Sequence, residues 1–210
     1  MAMFLKPSDT SDATLLCNMA RHYWKIPNPE IIIAMGGAAQ NFDMAPELRQ
    51  AFDVGLAQVV TFAKSTIVTG GTNTGIMKLV GETMSRVKAE CPITSQGSTI
   101  DGDKFNGVFG ETVTYVPSSP ASDLGAPIDP NHTHFLIMDS GKEPGKSWGS
   151  EVQPMNDFKV RLAELTGAVI INLILAGGPW TLKMIQSALK SNTAVVLVVG
   201  TGQACDAIFE

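Results

Sequence analysis

The sequence predicts an α/β fold, a Rossmann-like three-layer sandwich in which helices cover both faces of a mostly parallel sheet. Two observations predict this fold. Short apolar runs rich in β-branched residues alternate with stretches whose apolar residues recur at helical spacing. Most of these runs end directly in glycine, as strands do where a tight turn leads into a helix. The 210 residues suffice for a sizeable core, and we predict that 1–210 is a single domain.

The strands are predicted from continuous apolar runs, because strands of a parallel sheet are buried on both faces and show no alternation. The run Ile31-Ile32-Ile33, which leads to Gly36, is the clearest example. The predicted strands lie at 30–35, 66–69, 92–96, 111–116, 134–138, 169–175 and 194–199.

The helices are predicted from apolar residues at helical spacing and from their start signals. Ser11 or Asp12 can cap the first helix, and Pro46 suits the first turn of the second. The predicted helices lie at 11–24, 46–64, 75–90, 156–165 and 180–190, with a last one after Gly202. The stretch 91–131 is rich in Gly, Ser, Pro and Asp, which predicts a loop-rich insertion region.

Composition excludes several classes of function. Fifteen Lys and Arg against 20 Asp and Glu give a net charge of −5, so we expect no nucleic-acid partner held by charge. The longest strongly apolar stretch, 168–176, is far shorter than the roughly 20 residues of a membrane span, so we expect no direct membrane insertion. The start of the chain does not resemble a signal peptide. Cys17, Cys91 and Cys205 are widely spaced, which predicts a reducing, cytoplasmic compartment.

A ligand site is predicted at the carboxyl ends of the strands, where ligands of open parallel sheets bind. Glycine there lets a ligand approach the backbone, and the N-terminus of the next helix offers amides to a phosphate. The strand-end loops are Gly36-Gly37, Gly70-Gly71, Ser140-Gly141, Gly177-Gly178 and Gly200-Thr201-Gly202. Glycines that serve packing alone are the alternative at any one loop, but their recurrence favours a phosphorylated nucleotide.

Neither of the two longer glycine loops matches a standard phosphate motif. The loop that begins at Gly70 lacks the Gly-Lys-Ser/Thr of a Walker loop and has the wrong spacing for Gly-x-Gly-x-x-Gly. It can still hold a phosphate through its amides and the side chains of Thr72, Asn73 and Thr74. In the other loop, Thr181 can bind a phosphate oxygen, but a helix cap is the more common role of a threonine there.

Several segments resemble a known family. The two glycine motifs resemble those of the SMF/DprA–LOG (SLOG) superfamily, and further segments resemble the N-terminal homology region of melastatin-type transient receptor potential (TRPM) channels. The matching segments, in the family's order, are His22-Tyr23-Trp24-Lys25-Ile26-Pro27, Gly36-Gly37-Ala38-Ala39-Gln40-Asn41-Phe42, Gly70-Gly71-Thr72-Asn73-Thr74-Gly75-Ile76-Met77-Lys78, Asp129-Pro130-Asn131-His132-Thr133-His134-Phe135, Gly177-Gly178-Pro179-Trp180-Thr181-Leu182 and Gly200-Thr201-Gly202-Gln203-Ala204-Cys205-Asp206. They run from about residue 22 to the end of the chain.

The resemblance implies a cytosolic ligand-sensing domain that binds ADP-ribose or a related adenine nucleotide and regulates a cation channel. It implies no required cofactor, and it implies contacts with other channel domains and subunits, in a homotetramer if the chain is part of a full channel. Together with the glycine-loop prediction, it gives the candidate nucleotide-binding residues Met35, Gly36, Gly37, Ala38, Asn41, Gly70, Gly71, Thr72, Asn73, Gly75, Met77, Asp139, Trp148, Glu151, Lys159, Gly177, Gly178, Pro179, Trp180, Thr181, Gly200, Thr201, Gly202 and Gln203. Lys159 and Arg161 stand where the family has a pair of arginines.

The chain also departs from the family pattern. Trp180 replaces a usual glycine and can stack on a base or fill the pocket, and Gln203 stands where an arginine can meet phosphate. Met184 stands where the nucleotide-hydrolysing branch has a glutamate, and a thioether cannot replace a carboxylate in glycoside cleavage. We therefore predict no catalysis and no catalytic residue, and expect Glu151 to be a solvated or capping residue.

Three functions stay open from the sequence: a nucleotide sensor, a nucleotide phosphoribohydrolase, and a structural assembly module whose crevice is filled. His132 and His134 flank Thr133 before a strand and can share one face. Without a third ligand nearby, hydrogen bonding at the strand entry is favoured over a metal site.

Overall fold

The computed structural model describes residues 2–87, 93–96, 102–105, 110, 112–117, 126–141 and 149–210. Its strands form one seven-stranded sheet in the order β1-β5-β4-β3-β2-β6-β7, and every pairing is parallel. The strands are β1 (Met3–Leu5), β2 (Ile31–Gly37), β3 (Ser65–Thr69), β4 (Ile93–Gln96), β5 (His134–Leu136), β6 (Val169–Leu175) and β7 (Ala194–Val198). The α/β, Rossmann-like prediction is confirmed.

Six α-helices and one turn of 3₁₀ helix, Gly102–Phe105, occur in the described part of the chain. The helices are α1 (Ala13–His22), α2 (Pro46–Phe62), α3 (Gly75–Arg86), α4 (Val152–Thr166), α5 (Pro179–Lys190) and α6 (Gln203–Phe209). Asp12 caps α1 by accepting a hydrogen bond from the Leu15 amide at 2.9 Å, and α4 ends at Gly167 in the left-handed conformation, φ 76°.

The helices form a layer on each face of the sheet, and each layer has its own core. On one face α2 and α3 pack on alternate residues of β2 and β3, such as Ile33 and Ile67. On the other face α1 and α4 pack on the intervening residues, such as Ile32 and Val68. Strand residues that are buried on both faces explain why the sequence shows continuous apolar runs rather than alternation.

The structure corrects three predictions. Residues 112–117 form no strand, because both edges of β5 are already paired, one with β4 and the other with β1. The sequence does not predict β1, whose three residues are too few to show a period. The fourth helix begins at Val152 rather than near 156, because Pro154 falls in its first turn, where amides have no intrahelical acceptor.

A buried network ties the segment before β5 to the end of β3. His132 bonds through Nδ1 to Asp129 Oδ1 at 3.0 Å and through Nε2 to Thr69 Oγ1 at 2.7 Å. The Asp129 amide donates to the carbonyl of Gly71 at 2.9 Å. His132 therefore makes the hydrogen bonds predicted for the strand entry, and both of its nitrogens are engaged.

Two of the three cysteines fall in the described part of the chain. Cys17 and Cys205 are buried free thiols, and burial raises the pKa of Cys17 to about 12. A search of the described helices finds none long and apolar enough to cross a bilayer. Cys91 lies outside the described residues.

Candidate functional site

The chain order places a crevice at the carboxyl ends of β2 and β6. From β2 the chain continues to β3 on one side, and from β6 it continues to β7 on the other. The connections that follow these two neighbouring strands therefore diverge. Such a point, where the strand order reverses, is where ligands bind in open parallel sheets.

A cavity of about 70 Å³ lies at this point. Nine predicted site residues line it: Met35, Gly36, Gly37, Gly70, Thr72, Met77, Glu151, Trp180 and Thr181. Six further residues complete the lining: Ala39, Ile76, Gly149, Val152, Met155 and Met184. Ile76, Val152 and Met155 are apolar helical residues that no signal in the sequence distinguishes from ordinary core positions, whereas Met184 stands out in the sequence because it occupies the position of the hydrolase glutamate.

Two glycines of the site are required by close backbone contacts. A Cβ on Gly37 would lie 2.0 Å from the carbonyl oxygen of Leu175, on the neighbouring strand. Gly75 begins α3 at φ +52°, and a Cβ there would lie 2.0 Å from the carbonyl oxygen of Ala38. At these two positions packing of the protein itself, rather than contact with a ligand, excludes a side chain.

Several strand-end amides that the sequence offers to a phosphate already donate to side chains of the chain. The Gly75 amide donates to Asn41 Oδ1 at 2.9 Å, and the Gly177 amide donates to Gln203 Oε1 at 3.1 Å. The Asp206 carboxylate accepts from the last loop, from the Gly200 amide at 2.8 Å and the Gly202 amide at 3.0 Å. A phosphate at these loops would have to displace these acceptors.

The remaining loop residues also make internal contacts. The Gly71 amide donates to Thr69 Oγ1 at 2.9 Å, and the Ala38 amide donates to the Leu175 carbonyl at 3.2 Å. Thr201 Oγ1 accepts from the Ala176 amide at 2.8 Å, so Thr201 fastens its own loop to the end of β6.

Thr181 combines a cap with a contact across the site. Its Oγ1 accepts from the amide of Gly178, which precedes Pro179 at the start of α5, at 3.2 Å. The same hydroxyl donates to the Gly37 carbonyl at 3.1 Å. These contacts agree with the capping role that is the alternative for Thr181. The hydroxyl also links α5 to the end of β2.

Trp180 and Met184, both on α5, occupy the space between the strand ends and α4. A Cβ built on Gly149 would lie 2.1 Å from the Trp180 indole, and one on Gly36 would lie 2.9 Å from the Met184 methyl group. Trp180 is nevertheless 45% exposed, and the Lys183 ammonium lies 4.2 Å from its ring centroid. The indole is therefore a half-exposed wall of the cavity with the Lys183 ammonium over its ring.

Glu151 places a carboxyl group in the wall of the cavity. It precedes α4 without a side-chain capping bond, and its Oε2 is buried without a hydrogen-bond partner among the described residues. Burial raises the pKa of Glu151. Glu151 is the N-cap residue of α4, but its side chain does not cap the helix and its Oε2 is buried, so the expectation of a solvated or capping side chain is wrong.

Several other predicted site residues do not line this cavity, among them Lys159, Asp139 and Asn73. Lys159 is buried between α4 and β6, where its ammonium donates to Asn172 Oδ1 at 2.5 Å, and burial lowers its pKa to about 8. Asp139 follows β5 and pairs with Lys6 at 3.3 Å. Asn73 lines a second, larger cavity. Trp148 lies outside the described residues.

Arg161, predicted beside Lys159, is also turned away from the crevice. Its guanidinium donates to Thr14 Oγ1 at 3.0 Å and pairs with Glu164 at 2.9 Å. Neither member of the predicted basic pair lines the cavity, because Lys159 is bonded to Asn172 in the core and Arg161 is bonded to Thr14 and Glu164.

The sequence of residues 2–209 matches the family described as SLOG in TRPM. The chain belongs to this SLOG family. Relatives include transient receptor potential cation channel subfamily M member-like 2 of Nematostella vectensis, 28% identical over 99% of this chain, and subfamily M member 2 of Mus musculus, 28% identical over 98%. Subfamily M member 1 of Mus musculus is 30% identical over 98%. This SLOG chain spans 15%, 15% and 13% of the length of these three relatives.

Proposed function

We propose that this SLOG chain is the ligand-sensing domain of a TRPM-type cation channel and that its crevice takes an adenine nucleotide such as ADP-ribose. The observation that supports the proposal is convergence: residues from the ends of β2 and β3 and from the starts of α3, α4 and α5 surround one cavity at the switch point. The family match supports the channel context. In this proposal the domain works in the cytosol, alongside the other domains and subunits of the channel.

Binding requires the crevice to open. Sites for ligands of drug size enclose about 300–1,000 Å³, and this cavity encloses about 70 Å³. Trp180 is the element that can move, because it is 45% exposed and stands near the start of its helix. Rotation of the indole off Gly149 would join the cavity to solvent and present an aromatic face to the adenine.

The chemistry of the walls suits the base better than the phosphates. Met35, Met77 and Met155 supply apolar, adaptable contacts. The Glu151 carboxyl group, whose Oε2 is buried without a partner among the described residues, can hydrogen-bond to the edge of the base. The phosphates would meet the amides of the strand-end loops without help from Lys159, so we expect moderate affinity.

The small volume of the cavity favours a second candidate, a structural assembly module whose crevice is filled by its own side chains. The internal acceptors Asn41, Gln203 and Asp206 and the indole of Trp180 fit that function without any ligand. Catalysis has less support. Among the described lining residues Glu151 is the one carboxylate, and Met184 stands on α5 where the hydrolase branch has its glutamate.

Calorimetry with ADP-ribose, NAD, cyclic ADP-ribose, AMP and ATP separates the candidates, with Trp180→Gly as the test variant. Leu189→Gly is the control, because Leu189 is an exposed residue of the same helix that does not line the cavity. If the chain is a sensor, the wild-type protein binds at least one ligand, and Trp180→Gly changes its affinity. If the chain is an assembly module, the wild-type protein binds none of them. No heat from either protein with any ligand refutes the sensor.

A release assay tests the hydrolase alternative. Free adenine appearing from AMP with the wild-type chain, and not with Glu151→Gln, would establish catalysis. We expect no base release from either protein.

A further inference from the structure

A second cavity, larger than the crevice, lies beside the edge of the sheet formed by β1 and β5. It encloses about 660 Å³, within the range of ligand sites. The described lining residues are Ala2, Met3, Phe4, Trp24, Asn73, Phe105, Gly110, Thr112, Val113, Tyr115, Pro117, Ile128, Asp129, Pro130, His132 and Phe135. None of them belongs to the set that lines the crevice.

Aromatic rings form much of the cavity wall. Phe4 and Phe135 stand side by side on paired strands, and Phe105 meets Phe4 edge-on with ring centroids 4.8 Å apart. Tyr115 stacks on Phe105 at 5.7 Å with an interplanar angle of 25°. Such rings offer apolar faces and edges to a flat molecule.

Asn73 supplies a polar group that the fold does not use. Its backbone amide donates to the Pro127 carbonyl at 2.7 Å, which fixes its position in the wall. Its half-buried side-chain amide makes no hydrogen bond within the described parts of the chain. By contrast, both ring nitrogens of His132 are engaged by Asp129 and Thr69. A side-chain amide offers a donor and an acceptor side by side, the pattern that an adenine edge complements.

Charge narrows the class of ligand. The described lining contains no Lys or Arg, and it contains the Asp129 carboxylate. A phosphate-bearing molecule would find no cation in this lining, so an uncharged ligand is favoured.

We propose that this cavity is a second ligand site, distinct from the crevice, for an uncharged heteroaromatic molecule of the purine class held by aromatic contacts and the Asn73 amide. The ligand would pack its ring against the aromatic wall and bond its donor–acceptor edge to Asn73. This site does not depend on the proposed function of the crevice.

Adenosine, which carries no phosphate, is the probe. We expect saturable binding to the 210-residue chain by calorimetry. Asn73→Ala should weaken it about tenfold, the effect of losing one or two hydrogen bonds to a ligand. Asn131→Ala is the matched control, because Asn131 is also half-buried and lies outside the lining. Val113→Trp, which places an indole in the cavity, should abolish binding and tests the site if Asn73→Ala does not fold.

Photolabelling with 8-azidoadenosine locates the bound molecule. Label on 2–5, 102–105 or 112–117 supports the second site. Label on 177–184 assigns adenosine to the crevice and overturns the proposal, as does unchanged affinity in both Asn73→Ala and Val113→Trp. Absence of binding at about 5 mM adenosine overturns it as well, because a dissociation constant above that concentration is too weak for a ligand site. Failure of ADP-ribose to bind would refute only the crevice proposal.

Discussion

Lys159 gives a test of the structure that requires no ligand. Its ammonium is buried under α4 with Asn172 as its hydrogen-bond partner, and burial lowers its pKa from 10.5 to about 8. One pKa unit corresponds to about 1.4 kcal/mol, so the buried charge costs about 3 kcal/mol of folding stability at neutral pH. The perturbation is Lys159→Met, which keeps an unbranched side chain and removes the charge.

The sign of the pH dependence follows from proton binding. Below pH 8 the lysine is protonated in both the folded and the unfolded chain, so the full cost is present. Between pH 8 and 10.5 the unfolded chain still holds this proton and the folded chain does not, so stability rises with pH. Lys159→Met removes this rise. At neutral pH it also leaves Asn172 Oδ1 without its donor, which costs about 1–3 kcal/mol and offsets part of the gain.

Urea unfolding at several pH values measures the effect. The free energy of unfolding of Lys159→Met minus that of wild type should fall by about 3 kcal/mol from pH 7 to pH 11. The difference cancels the opposite dependence from Cys17, whose raised pKa lowers stability as pH rises from 9 to about 12. Lys190→Met, at an exposed lysine of α5, is the control and should show no such trend. If the difference in free energy of unfolding between Lys159→Met and wild type does not change with pH, the Lys159 ammonium is not buried at a cost to stability.

Three further predictions concern the strand-end loops and the network before β5. Asp206→Ala removes the acceptor of the Gly200 and Gly202 amides and should destabilise the chain by about 1–3 kcal/mol in urea unfolding; Asp206→Asn should be milder, and equal losses would contradict a charge-assisted role. Gly75→Ala should lower the melting temperature strongly, since its Cβ would lie 2.0 Å from a carbonyl oxygen at φ +52°; a change within error would show that the turn can relax. His132→Ala removes the buried hydrogen bonds of the ring to Asp129 and Thr69, and it should cost about 1–3 kcal/mol, measured by thermal unfolding with Asp129→Asn alongside; no loss beyond error would show that this network does not stabilise the fold.

Much of the fold could be predicted from the sequence because local patterns encode burial. The continuous run of β2 and the helical spacing in α2 reflect the surfaces that each element hides. Where the pattern is short or ambiguous, the prediction is wrong. Met3–Leu5 becomes a strand because it pairs with the edge of β5 that β4 leaves open, and 112–117 then finds both edges of β5 occupied.

The candidate site could be predicted in part. Glycine loops at strand ends locate the crevice, since topology fixes where the strands end. The sequence does not show the direction in which each side chain of a loop points. Asn73 and Thr72 are neighbours in one loop, yet Thr72 lines the crevice and Asn73 lines the second cavity. Lys159 falls in the core because the helix that carries it turns that face toward β6.

The sequence by itself determined the succession of strands and helices, the SLOG family and the edge of the sheet where a ligand would lie, because these depend on local apolar periodicity and on motifs read in order. Only the tertiary structure decided that Trp180 and Met184 close the crevice and that Asp206 takes the loop amides. It also decided that a larger aromatic cavity opens beside β5. These outcomes depend on contacts between residues distant in the chain, and no local pattern records such contacts.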